Sequence, residues 1–183
     1  MKSTQTNFLK NLNVSNKKSH GGLTEGKRKT ARPISTKKWS HLVLKSKKAK
    51  GPLSLSHPKN MTQVKYILRK QASKHGVEIT DYVNMGNHLH LKVKPHSRIG
   101  FQKFLKSTTA MIARKVTGAR KGFKFGKFWD GLAFTRVIQS SYELFQLKGY
   151  FEANRLESRK GYQERLSYLN SFNAWLRSMR LQA

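Results

Sequence analysis

Two histidines one residue apart are the first candidates for chemistry in this sequence. His88 and His90 lie in the stretch MGNHLHLKVK, which runs from Met85 to Lys94. Its alternation of residues predicts a β-strand, in which side chains two residues apart point to the same face. Two imidazoles spaced about 7 Å along a strand could bind one divalent metal ion. Taken alone, however, such a pair is more often part of ordinary strand packing than a metal site.

A tyrosine and an asparagine in the stretch GYFEANRLES could complete such a site. Tyr150 and Asn154 are four residues apart, so they share one face of the helix that the periodicity predicts over residues 141–155. They flank an apolar stripe, so a tyrosine there could lie against a sheet and still be reachable. The alternative is a structural tyrosine with a packed ring and a hydrated hydroxyl, and an asparagine near a helix end.

The charge of the chain indicates a polyanionic partner. The 183 residues include 38 Lys and Arg but only 8 Asp and Glu, which gives a net charge of +30. Nucleic acid is the usual partner of so basic a protein, because Lys and Arg that contact phosphates release counterions. The alternative is a basic surface that is merely hydrated.

The stretch between Asp81 and Asp130 contains no acidic residue and interleaves basic with aromatic residues. Basic side chains can follow phosphates, and aromatic rings can stack on unpaired bases. The alternative is a hairpin whose aromatic rings belong to the core. The candidate DNA-binding residues are Lys92, Lys94, Arg114, Lys115, Arg120, Lys121, Lys124, Lys127, Phe125 and Trp129.

Several classes of protein and site are excluded by what the sequence lacks. There are no cysteines, so disulfides, zinc–thiolate sites and cysteine nucleophiles are excluded. No apolar run approaches the roughly 20 residues of a membrane span, and the N-terminus has no signal-peptide core. We therefore expect a cytoplasmic protein without a membrane partner. The sequence does not distinguish a monomer from a homodimer.

The predicted elements alternate in the order strand, helix, strand, strand, helix, strand, helix, helix. This order predicts an α+β, ferredoxin-like split βαβ sandwich, with an antiparallel sheet, helices on one face and extra C-terminal helices. The predicted strands are residues 38–46, two within 77–94, and 131–138. The predicted helices are residues 58–75, 99–116, 141–155 and 162–179. Residues 1–37, rich in Ser, Asn, Gly and Lys, are predicted to be a disordered basic arm.

The order of three motifs resembles a known family. MGNHLHLKVK, FWDGLAFTRVI and GYFEANRLES together resemble the single-tyrosine HUH transposases, and among them the REP-associated tyrosine transposases. The resemblance covers residues 38–157, which would form the catalytic domain, with residues 158–183 as a C-terminal helix. Two departures stand out: Gly86 replaces the usual Pro, and Arg155 replaces the Pro after Asn154, so that the helix could run on further.

The resemblance implies a site and a reaction. Tyr150 would be the nucleophile. His88, His90 and Asn154 would hold Mg²⁺ or Mn²⁺, and the nitrogen ligands favour Mn²⁺. Single-stranded DNA, with a hairpin, would be cleaved and rejoined through a 5′-phosphotyrosine. A non-catalytic nucleic-acid-binding protein of the same fold and a metal-dependent nuclease without a covalent step stay open as alternatives. The remaining histidines have no partner at ligand spacing and are expected to be structural or at the surface: His20, His41, His57, His75 and His96.

Overall fold

The computed structural model of the chain describes residues 19–20 and 32–181. Within them, five strands form one antiparallel sheet in the order β1-β5-β2-β4-β3. The strands are β1 (Ser19–His20), β2 (Ser40–Lys45), β3 (Val77–Asn84), β4 (His88–Pro95) and β5 (Phe134–Val137). The helices are α1 (Pro58–Lys74), α2 (Arg98–Thr117), α3 (Ser141–Lys160) and α4 (Tyr162–Leu181). The succession β2-α1-β3-β4-α2-β5 is the split βαβ arrangement predicted from the sequence.

The main core lies between one face of the sheet and the helices α1 and α2. Alternate residues of β2 and β4 point into it, and each helix contributes one apolar stripe, as the periods of 2.0 and 3.6 residues require. Its buried side chains include Leu42, Leu44, Leu89, Leu91, Val93, Val64, Leu68, Phe101, Phe104 and Ile112.

Helix α3 packs on the opposite face of the sheet. It begins at Ser140, whose side chain accepts a hydrogen bond from Glu143 N at 3.1 Å, as an N-cap residue does. The Glu143 carboxylate accepts from Gln139 N at 2.9 Å and pairs with Arg136 of β5 at 3.2 Å, which ties the helix start to the sheet. A second, smaller core forms there from Val83, Ile138, Leu147, Tyr150 and Phe151.

The structure differs from the predicted organisation in the N-terminal arm. Part of the range expected to be disordered is ordered: β1 pairs with β5, and Arg32 is buried beside the same strand. Arg32 Nη1 donates to Ala133 O at 2.6 Å and to Thr135 Oγ1 at 3.2 Å. A basic residue can be buried this way because its hydrogen bonds are satisfied. Residues 1–18 and 21–31 of the predicted arm lie outside the described residues.

Helix α3 is longer than the helix predicted over residues 141–155. It continues to Lys160 and ends at Gly161, which has a φ of +98°. The sequence departure at Arg155 is consistent with this extension, because a Pro there would have broken the helix. The predicted boundary after residue 157 therefore lies inside α3. Among the helices that the structure describes, none has both the length and the apolar character that crossing a membrane requires.

Candidate active site

Strand β4 presents His88 and His90 on the face of the sheet that α3 covers. Leu89 and Leu91 point to the main core on the other face, as the alternation predicts. The two imidazole rings have centroids 4.7 Å apart and lie edge to face. The turn before β4 contains Gly86 with a φ of +81°, a conformation that Pro cannot adopt, so the departure from the family pattern fits the local backbone.

The two histidines differ in their surroundings. His90 is only 1% exposed; its Nδ1 lies 3.0 Å from His41 Nε2, and its Nε2 is buried without a hydrogen-bond partner in the described part of the chain. His88 is partly buried, and its Nδ1 lies 2.5 Å from Asn87 Oδ1. Because both Nδ1 atoms are engaged, a metal would have to be bound through the two Nε2 atoms.

All three histidines of this cluster are held in the neutral form. Burial is the main cause, and it lowers the pKa of His41 to about 3, that of His88 to about 4, and that of His90 well below its usual value. Nearby positive charges add to the effect: Arg136 at His41, and Lys45 and Arg165 at His88. A neutral imidazole is the form that binds metal ions.

Helix α3 brings Tyr150 and Asn154 to the same place. The ring of Tyr150 meets that of His90 edge to face at a centroid distance of 5.2 Å. Asn154 is 1% exposed, and its Nδ2 is buried without a hydrogen-bond partner among the described residues. The structure thus gathers His88, His90 and Tyr150 from two elements about 60 residues apart in sequence, and buries Asn154 on the same helix face as Tyr150.

Tyr150 is less accessible than the sequence suggests. Its side chain is 2% exposed, whereas the helix pattern was compatible with a reachable tyrosine. Its ring lies in the second core and against His90, and on the side of α4 the guanidinium of Arg165 lies 6.0 Å from the ring centre. Arg165 is itself held by Glu157, with Nη1 donating to Oε2 at 2.5 Å.

The side chains present fit a metal site of low ligand count. Within residues 19–20 and 32–181, no three His, Asp or Glu side chains come together in a way that could hold a metal ion. A metal would therefore rest on His88 and His90, with an amide or water as further ligands. The buried and unpartnered Nε2 of His90 suits this role. Asn154 would ligate through Oδ1, which exchanges places with Nδ2 when the amide turns.

The predicted DNA-binding residues fall into two groups. Lys92 and Lys94 follow the histidines on β4, and their ammonium groups lie 4.9 and 5.3 Å from the centre of the Trp39 ring. The other basic residues are exposed on the end of α2 and the loop after it: Arg114, Lys115, Arg120, Lys121, Lys124 and Lys127.

The two aromatic residues proposed for base stacking are half-buried. Phe125 and Trp129 pack against the main core, and Trp129 Nε1 donates to Thr109 O at 2.9 Å. This placement favours the alternative in which the rings of this stretch are core. The exposed ring of the loop is that of Phe123, at 58% exposure.

Sequence reasoning missed two residues next to the site, His41 and Arg165. His41 was expected to be structural or at the surface, yet it is buried against His90. A signal existed, since β2 also alternates and its odd-numbered residues share one face. That signal becomes informative only once β2 is known to pair with β4. Arg165 lies on a helix whose packing partner the sequence does not reveal.

The chain matches one protein family and is similar to two solved structures. The family described as "Transposase IS200 like" matches residues 35–154, more than half of the chain. Among solved structures, a REP-associated tyrosine transposase bound to a REP hairpin aligns with a TM-score of 0.55 at 12% identity, over 74% of this chain and 76% of that one. A candidate transposase from Deinococcus radiodurans R1 aligns with a TM-score of 0.44 at 18% identity, over 71% and 97% of the two chains. Comparison with curated proteins gives no match. At these identities the likeness to the first structure is one of fold.

Proposed function

Because the chain belongs to the family of IS200-like transposases, we propose that it cleaves and rejoins single-stranded DNA, with Tyr150 as the nucleophile. One observation carries the proposal: the ring of Tyr150 lies directly against His90, 5.2 Å between centroids, beside a second histidine. A candidate nucleophile next to two neutral imidazoles that could hold a metal ion suits metal-assisted phosphoryl transfer.

The proposed reaction conserves the phosphodiester energy. The phenolic oxygen of Tyr150 attacks the scissile phosphorus, a Tyr–O–P bond forms, and the bond between phosphorus and the 3′-oxygen breaks. The phenol loses its proton and the leaving 3′-oxygen gains one, so the strand ends in a 3′-hydroxyl. A 3′-hydroxyl of another strand can reverse the step without ATP, because the phosphotyrosine retains the bond. The phenolate of a tyrosine is a better leaving group than an alkoxide, because a phenol is a stronger acid than an alcohol.

His88 and His90 would hold the metal, with Asn154 or water completing its ligands. Mg²⁺ or Mn²⁺ bound there would polarise the scissile phosphate as a Lewis acid. Positive side chains stand around the same site, since both Lys45 and Arg165 lie close enough to lower the pKa of His88. We propose that they bind the phosphates on either side of the cleaved bond.

Substrate access requires a change at Tyr150. A phenol that is 2% exposed cannot reach a DNA phosphate, so the reaction includes a displacement of groups that cover it. Arg165 is the group over the ring, and a phosphate that attracts its guanidinium would draw it away from Tyr150. The same burial favours one other function, that of a DNA-binding protein of this fold that no longer cleaves.

The proposed substrate carries a hairpin. The structure of similar fold was solved with a REP hairpin, and the +30 charge of this chain suits a folded, densely charged strand. A single-stranded oligonucleotide library with a constant hairpin and random flanks therefore serves as the probe.

A labelled-end experiment tests the mechanism. The library is incubated with the protein and Mn²⁺ and separated on a denaturing gel. We expect a 3′-label to remain with the protein as a covalent adduct, and a 5′-label to leave as a shortened strand ending in a 3′-hydroxyl. The adduct should vanish in Tyr150→Phe and persist in Tyr142→Phe, a matched change eight residues earlier on α3.

The other outcomes identify the alternatives. Cleavage with both labels free of protein indicates a nuclease without a covalent step. A shift on a native gel without cleavage indicates a binding protein. An adduct that survives in Tyr150→Phe would show that another residue is the nucleophile.

A further inference from the structure

A third histidine is hydrogen-bonded to the pair on β4. His41 Nε2 lies 3.0 Å from His90 Nδ1; both rings are almost completely buried, with centroids 5.2 Å apart and an interplanar angle of 24°. Edge contacts with Phe134, Tyr150 and Phe151 surround the His41 ring, at centroid distances of 6.1, 5.9 and 5.5 Å. The contact between the two histidines is therefore a fixed part of the protein interior.

A hydrogen bond between two neutral imidazoles has one donor and one acceptor, so it determines where each ring carries its proton. If His41 donates, His90 carries its proton at Nε2. That atom is buried and has no acceptor among the described residues, which makes this arrangement costly. If His90 donates from Nδ1, its Nε2 carries a lone pair directed into the same buried space. The second arrangement is the one in which His90 can bind a metal.

We propose that His41 is a positioning residue, which holds His90 in the tautomer and ring orientation that bind a metal through Nε2. This inference rests on the proposed function, because the metal is the one that the cleavage reaction uses. His41 would not touch the metal, since its own Nε2 is engaged with His90. Removing the hydrogen-bond partner of a metal-bound histidine typically weakens metal affinity by about 10- to 100-fold.

Three substitutions at His41 separate hydrogen bonding from packing. In His41→Gln, the side-chain oxygen can occupy the place of Nε2 and still accept from His90. In His41→Asn, the side chain is one bond shorter and does not reach that place. In His41→Phe, the ring is kept and the acceptor is lost. The proposal predicts that the Gln variant binds Mn²⁺ like the wild type, and that the Asn and Phe variants bind it at least about 10-fold more weakly. A role in packing alone predicts that Phe is tolerated best.

The experiment uses the full chain without DNA. Mn²⁺ affinity is measured by titration with electron paramagnetic resonance, and thermal unfolding of each variant checks that it folds. Long-range ¹H–¹⁵N spectra of the metal-free wild type report the tautomer of His90, whose signals are identified by their loss in His90→Gln. The expected tautomer has the proton on Nδ1, and this measurement needs no variant of His41 to fold.

Each result decides between the two proposals. Mn²⁺ binding in His41→Phe that equals the wild type overturns the role of His41 and leaves the proposed function standing. A wild-type His90 that is protonated at Nε2 likewise overturns the role of His41 and leaves the proposed function standing. A wild type that does not bind Mn²⁺ overturns the metal site of the proposed function, and the role of His41 with it.

Discussion

Three histidines, the buried His41 and His90 and the partly buried His88, are the residues on which the candidate site depends. Burial is the largest cause of the lowered pKa of each. The burial that keeps these rings unprotonated leaves His88 and His90 in the form that binds metal ions. It has a cost, since the same histidines in the unfolded chain titrate near pH 6.5 and take up protons first as the pH falls.

The stability of the protein should therefore fall in mild acid. A histidine with a lowered folded pKa contributes full stability above about pH 6.5, and this contribution declines as the pH drops toward the folded value, about 3 for His41. Between pH 6.5 and 5, His41→Gln should lose about 2 kcal/mol less free energy of unfolding than the wild type. Urea unfolding at several pH values measures this difference. His96→Gln, a change at an exposed site, should follow the wild type, and equal losses in all three proteins would contradict the prediction.

Removing both candidate metal ligands should separate cleavage from binding. The double variant His88→Ala/His90→Ala is expected to form no covalent adduct, because no side chain would replace the two imidazoles at the phosphate. Its salt-sensitive binding to the hairpin library should change little, since that binding comes from the many Lys and Arg elsewhere. Adduct formation on a denaturing gel and affinity on a native gel measure the two properties. Retained adduct would show that these histidines are not the metal ligands.

At the scale of elements, the packing of α4 on α3 places Arg165 beside the ring of Tyr150. The two helices approach closely at Gly149, where an added Cβ would lie 2.4 Å from two ring atoms of Phe172. The Phe172 ring is itself stacked with Phe145 and Tyr168, at centroid distances of 5.4 and 5.8 Å, so it has little freedom to move aside. The glycine therefore permits the contact that brings Arg165 over the tyrosine.

The substitution Gly149→Ala tests this close approach, because the packing determines whether the free energy of unfolding rises or falls. In an exposed helix position the change would stabilise the folded protein by about 1 kcal/mol, because Ala is a better helix former than Gly. At this position we expect a loss of about 1–3 kcal/mol in the free energy of unfolding, as in other overpacked cores. Urea unfolding measures it. The double variant Gly149→Ala/Phe172→Leu, which makes room for the methyl group, should recover much of the loss; a stabilised single variant would contradict the packing described.

At the scale of the whole molecule, charge dominates. A net charge of +30 on 183 residues favours association with nucleic acid regardless of sequence, and it places many cations away from the candidate site. The exposed loop after α2 concentrates several of them, while its aromatic rings largely serve the core. We expect this loop to bind the DNA backbone through its lysines.

The triple variant Lys121→Gln/Lys124→Gln/Lys127→Gln tests the loop. If each lysine contacts one phosphate of a single strand, the slope of log affinity against log salt should decrease in magnitude by about 2. Binding to the hairpin library at a series of salt concentrations measures the slope. Three exposed lysines of α1, Lys59, Lys65 and Lys74, provide a control with the same change in net charge. An equal decrease of the slope in the control would show that the loop lysines contribute no more to DNA binding than other exposed lysines.

Features of the site that depend on local periodicity could be predicted from the sequence. Alternation along a strand is enough to place His88 and His90 on one face and the intervening leucine on the other. A spacing of four in a helix is enough to place Tyr150 beside Asn154. The order of elements, read with the motifs, was enough to predict the split βαβ sheet that the structure has.

Which of these faces meet, and which side chains cover them, depends on the tertiary packing of the elements. His41 became part of the site because β2 pairs with β4, and Tyr150 was buried because α3 packs on the sheet, with Arg165 of α4 beside its ring. The rings of Phe125 and Trp129 pack against the core, and β1 pairs with β5 in the sheet. Each outcome depends on contacts between residues far apart in the chain. Periodicity fixes the direction of a side chain relative to its own helix or strand. The residues that the side chain contacts depend on burial and hydrogen bonding in the whole fold.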